Sequence, residues 1–172
     1  MNNVLSNIFR FVIVLLLQIF VCNYIHLFGF LTPALYLLAL LLLPLELPKS
    51  LQYIIGFATG FVIDMFAHTM GINALACTVV MFIRPYWVKI INGRNTTEGV
   101  DRPVPGVKDF KWMLFYVLVL TLIHQILVVM IETFAFRNFG HTALVILGST
   151  LFTSFVLLCV LYIFFPVRST RS

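Results

Sequence analysis

Apolar residues run in long blocks along this chain, and polar residues gather in the short gaps between them. Six blocks can be drawn, at about Ile8–Phe28, Pro33–Leu47, Leu51–Phe66, Gly71–Ile91, Trp112–Phe136 and Thr142–Phe165. Blocks one, five and six have the ~20 residues that a bilayer-crossing helix needs. Blocks two and three are shorter, and at 1.5 Å rise per residue the third covers only ~24 Å. Short central helices require local thinning of the bilayer or shielding by longer neighbours. The pattern therefore predicts an all-α, polytopic membrane helix bundle with six transmembrane helices, forming a single transmembrane domain over residues 1–172. No internal repeat or low-complexity tract interrupts it.

The longest polar stretch is NGRNTTEGVDRPVPGVKDFK, from Asn92 to Lys111. Its glycines, prolines and charges predict a flexible cytoplasmic loop between spans four and five. Tyr86, Trp87 and Trp112 flank the loop and fit an interfacial aromatic belt. Asn95-Thr96-Thr97 matches a glycosylation sequon, which on the cytoplasmic side is a chance match. Arg10 followed by FVIVLLLQIFVC has the outline of a signal peptide. No small-x-small cleavage site follows it, so block one reads as an uncleaved first membrane helix.

Composition strengthens this reading. Of 172 residues, 62% are hydrophobic and only 10% charged, with a mean hydropathy of +1.07. A soluble domain of this size cannot hide so much apolar surface, so the solvent is lipid. The net charge of +5 does not suggest nucleic acid, because the basic residues lie between apolar blocks. With six spans and the N-terminus inside, Arg10, Lys49, Arg84, Lys89, Arg94, Arg102, Lys108, Lys111, Arg168 and Arg171 fall on the inner side. Arg137 alone, of the 11 basic residues, falls outside. That asymmetry predicts cytoplasmic termini. Cys22, Cys77 and Cys159 are far apart, each in an apolar block, and read as packing residues rather than a disulfide or metal set.

The chemistry-bearing residues concentrate between Pro44 and Pro85. Asp64 sits in an apolar run, where an unpaired charge costs several kcal/mol. Gly56, Gly60 and Asp64 recur every four residues, so on a helix they share one face; the glycines suit close internal helix packing. His68 lies four beyond Asp64, across the last turn. Asp64 and His68 suit a proton or cation site or a partner contact. The plainer reading is a lock, in which Asp64 accepts backbone N–H groups at the start of span four, just past Gly71. Pro48 disfavours helix at Leu47 and suits the first turn of span three. Arg84-Pro85 ends the straight part of span four, with Arg84 snorkelling towards phosphates. Thr121, Gln125 and Glu132 line one face of span five, with His124 at its edge, and Thr142, Ser149 and Thr153 align on span six. Such a seam suits either a solute path or interhelical hydrogen bonding. No HExxH, GxSxG or phosphate-cradling glycine loop is present, and no enzyme activity or cofactor is expected.

The run from Pro44 to Pro85 resembles the rod-shape-determining membrane protein MreD family. The resemblance is carried by Leu47-Pro48 before span three, Gly56, Gly60 and Asp64 within it, Gly71 opening span four, and Arg84-Pro85 closing it. The Asn92–Lys111 loop is longer than the family leads one to expect. The resemblance implies a non-catalytic scaffold in the bacterial inner membrane that binds the bitopic protein MreC. Through it, MreB filaments would couple to RodA and a class B penicillin-binding protein in peptidoglycan synthesis. It also implies a fold similar to the S-subunits of energy-coupling-factor transporters. The alternative is a solute-binding membrane subunit of a vitamin-type transporter, with a pocket built around Asp64, Glu132 and the seam. On the scaffold reading, MreC is expected on an outer helix, span one or six, because the Gly56/Gly60 face is occupied internally.

Overall fold

A computed structural model describes residues 13, 18, 33–93, 103, 109–133 and 139–164. Among these residues there are five helices and no strands: α1 (Tyr36–Leu41), α2 (Lys49–Ala67), α3 (Ile72–Asn92), α4 (Phe110–Thr133) and α5 (Phe139–Phe164). Four of them, α2 to α5, are long and apolar enough to cross a membrane. The chain is a helical membrane bundle. The first predicted span lies outside the described residues except for Ile13 and Gln18, and so does most of the Asn92–Lys111 loop.

The second predicted span is where pattern and structure part. Only six of its residues are helical, giving a rise of ~9 Å, far below the ~30 Å of a hydrocarbon core. All six, Tyr36 to Leu41, are buried. A run that is apolar on every side looks like a span in sequence. Here its helical part is short and enclosed by its neighbours, and the block runs from the Asn73 end of α3, at Tyr36, to the Arg84 end, at Leu41 and Leu43. Its side chains Leu37, Leu40 and Leu41 join Met81, Met113, Tyr116 and Leu120 in one hydrophobic core.

The third span is longer than its apolar pattern indicates. It starts at Lys49, directly after Pro48 as N-cap, whose carbonyl accepts the N–H groups of Leu51 (2.9 Å) and Gln52 (3.1 Å). At 19 residues it rises ~28 Å, enough to cross without severe thinning. Pro85 lies inside α3, which continues to Asn92, close to the expected bound of the fourth block at about Ile91. Proline removes one N–H, the one that the Met81 carbonyl would have received, and membrane helices tolerate this where neighbours surround them.

α2 and α3 form a tight antiparallel hairpin. Gly56 and Gly60 face α3: a Cβ on Gly60 would lie 2.5 Å from Ala74 Cα and closer still to the Asn73 carbonyl. On Gly56 it would lie 2.7 Å from Met81 Cγ. At the other end, Trp112 Nε1 donates to Asn92 Oδ1 at 2.8 Å, tying α3 to α4. Trp112 also stacks on Tyr116, ring centroids 5.0 Å apart. Of the three aromatics expected at the interface, Trp87 and Trp112 are thus half-buried, and Tyr86 is exposed.

Candidate functional site

Both buried charges of the described residues sit at ends of the α2–α3 hairpin, and each is enclosed by hydrogen bonds. Asp64 is 4% exposed. Its carboxylate accepts the backbone N–H of Asn73 (3.0 Å) and of Ala74 (2.8 Å), the Asn73 side-chain amide (3.0 Å), and the Thr69 hydroxyl. The two backbone donors belong to the first turn of α3, whose N–H groups have no partner within the helix. A carboxylate there meets the positive end of the helix. The turn that delivers it needs two left-handed residues, His68 (φ 55°) and Gly71 (φ 81°).

His68 does not join Asp64. Residues four apart share a face only while the backbone stays helical, and α2 ends at Ala67 with His68 as its left-handed cap. The His68 side chain is exposed. Thr69 takes the place beside the carboxylate that the sequence assigned to His68. Thr69 and Asn73 were the missed partners, and their signal was slight: two short polar side chains flanking Gly71.

Arg84 departs further from expectation. It is fully buried and does not snorkel. Its Nε donates to the Tyr116 hydroxyl at 2.7 Å and Nη1 to Gln52 Oε1 at 3.3 Å. Nη2 donates to the carbonyls of Leu41 (3.0 Å) and Leu43. Tyr116 also donates to the Leu41 carbonyl, at 2.9 Å. These carbonyls end α1, and in a dry interior they must find donors within the protein. A planar guanidinium with five N–H groups serves several at once, and a cation is favoured at a helix C-terminus. Gln52 completes this clasp by donating to the Leu47 carbonyl at 2.8 Å.

A third polar group holds the opposite end of α1. Tyr36 donates to Asn73 Oδ1 at 2.9 Å and lies 2.8 Å from His124 Nε2. Cys77 Sγ is 4.0 Å from the same nitrogen. Asp64, Asn73, Tyr36 and His124 therefore form one buried chain across α2, α3, α1 and α4. Nothing in the block pattern joined Asp64 to His124, because the link runs through α1.

Within the expected α4–α5 seam, Thr121, His124, Gln125, Ser149 and Thr153 are buried, and so are Thr150 and Ser154, which the sequence reading did not include. Gln125 Nε2 donates to Thr153 Oγ1 at 3.3 Å. Glu132 is exposed on the last turn of α4, and Thr142 is half-buried. Among the described residues no group of three or more His, Cys, Asp or Glu could hold a metal ion. Compared with known protein families, curated proteins and solved structures, the chain matches none.

Proposed function

We propose that this chain is a non-catalytic scaffold of the bacterial elongation complex, similar to the MreD family, in the inner membrane with both termini cytoplasmic. It would bind MreC and help organise RodA and a class B penicillin-binding protein around MreB. One observation carries the reading: the residues behind the resemblance are engaged in building the fold. Gly56 and Gly60 admit α3, Asp64 and Gly71 close the turn, Pro48 starts α2, and Arg84 caps α1. Such a site holds a shape rather than turning over a substrate.

The same observation weighs against the transporter alternative in the form expected from sequence. Asp64 already has four donors, and Glu132 is exposed. The likeness to energy-coupling-factor S-subunits remains part of the proposal, as does the six-span count. For the partner surface, α5 offers an exposed row at helical spacing, Leu144, Leu147, Leu151 and Phe155. A single partner helix would lie along such a row by apolar packing. The Gly56/Gly60 face is filled by α3.

Affinity purification of the tagged native protein in mild detergent tests this reading. An MreC-type bitopic protein should co-purify, and cysteines at Leu147 or Leu151 should crosslink to it in membranes. Recovery with a tightly bound vitamin and no such partner would overturn the proposal. Reporter fusions at Ser172 and within Asn92–Lys111 test the orientation, and both should report from the cytoplasm.

A further inference from the structure

Two sets of hydroxyl side chains on these helices contrast. Thr59, Thr78 and Thr133 turn back and donate to the carbonyls of Ile55, Ala74 and Val129, at 2.7, 2.7 and 2.5 Å. Thr121, Thr150 and Ser154 have the same option on their own helices. Their hydroxyls are nevertheless buried without a hydrogen-bond partner. His124 Nδ1, on a side chain 1% exposed, is likewise without a partner.

The protonation of that imidazole follows from the chain of hydrogen bonds. Asn73 gives its amide N–H to Asp64, so its Oδ1 is the end that faces Tyr36. The single Tyr36 proton goes to that oxygen. Tyr36 then accepts from His124, which must carry its hydrogen on Nε2. Nδ1 is left as a bare acceptor in a dry interior.

These orphans lie at neighbouring levels of the two helices. Thr121 and His124 lie three apart on α4, a spacing that brings Cβ atoms to ~5–6 Å. The contacts Phe110–Tyr162 and Gln125–Thr153 run in opposite directions along the two helices, so α4 and α5 are antiparallel. That register sets Ser154 level with His124 and Thr150 one turn away. Among the described residues no charged side chain is buried in the seam.

We propose that the α4–α5 seam is a binding site for a small neutral hydroxylic guest, held by Thr121, His124 and Ser154. The guest must donate to Nδ1 while accepting from, or donating to, the hydroxyls. One O–H group does both; an ion would meet no counter-charge buried in the seam, and an apolar guest would leave every orphan unpaired. Water and the hydroxyl of a polyol or lipid headgroup share this chemistry. The inference stands apart from the scaffold reading, which places its partner on outer faces.

Magic-angle-spinning NMR of the full chain in phospholipid bilayers tests it. The protein carries His26→Gln, His68→Gln and His141→Gln, so that 15N-histidine reports on His124 alone. The expected result is an Nε2–H tautomer with Nδ1 shifted upfield from the bare-nitrogen position and coupled to an exchangeable proton. A cross-peak at the water frequency identifies water; one at another frequency, gained on adding glycerol, identifies a polyol-type hydroxyl. A bare Nδ1 in both preparations overturns the proposal. Thr121→Val, in the otherwise native chain, gives a second reading. Removing a dry orphan raises Tm, whereas removing a partner of the guest lowers it. A lowered Tm is expected, and a raised one would remove Thr121 from the site.

Discussion

The two hairpins of this bundle handle buried polarity in opposite ways. In α2–α3, a carboxylate and a guanidinium are enclosed by partners, and apart from the Trp87 indole N–H its buried side-chain polar atoms are paired. In α4–α5 the polar groups are weaker and neutral, yet Thr121, Thr150, Ser154 and His124 Nδ1 are left over. The difference follows from cost. An unpaired charge in hydrocarbon is severe enough to dictate a turn and a cap around itself, whereas an unpaired hydroxyl is tolerable. Strong groups organise their surroundings; weak ones leave room for a guest.

The sharpest way to break this contrast is Arg84→Ala. It removes four hydrogen bonds from a charged donor, each worth about 1.5–3 kcal/mol. Together they are comparable to the whole margin of an ordinary domain, about 5–15 kcal/mol. No monodisperse protein should survive size-exclusion in detergent. Arg84→Lys should give an intermediate loss, because an ammonium keeps the charge but not the planar fork. A stable Arg84→Ala protein would mean that α1 does not depend on the clasp.

Asp64→Ala comes next. Losing the carboxylate strands the N–H groups of Asn73 and Ala74, at about 1.5–3 kcal/mol for a charged hydrogen bond. Thermal stability and expression should both fall, and Asp64→Asn should lie between it and the parent protein. An unchanged Tm with an isolated transport defect would instead favour the solute-subunit alternative.

The smallest effects separate the two glycines. Gly60→Ala pushes a methyl against backbone atoms of Asn73 and Ala74, an overpacking cost of about 1–3 kcal/mol. Gly56→Ala mainly meets the Met81 side chain at Cγ rather than backbone, with the Cys77 carbonyl 3.2 Å away, and should cost less. Tm values in the reverse order would show that the hairpin contact is not tightest at the Asp64 end.

Block pattern and residue chemistry by themselves determined the membrane setting, the all-helical class, the α2–α3 hairpin with its internal glycine face, and a polar seam between α4 and α5. These are local properties: periodic apolarity, i,i+4 spacing, and glycines at a tight link. What the tertiary structure decided is which apolar block is enclosed. α1 has the composition of a span, but burial on every side depends on neighbours that no local pattern names. The fate of Arg84 is decided the same way, since the carbonyls it caps belong to Leu41 and Leu43, more than forty residues earlier. The link from Asp64 to His124 passes through Tyr36, so it exists only once α1 is in place. Long-range satisfaction of buried polar groups is a property of the assembled bundle, because each donor's partner is set by packing rather than by spacing along the chain.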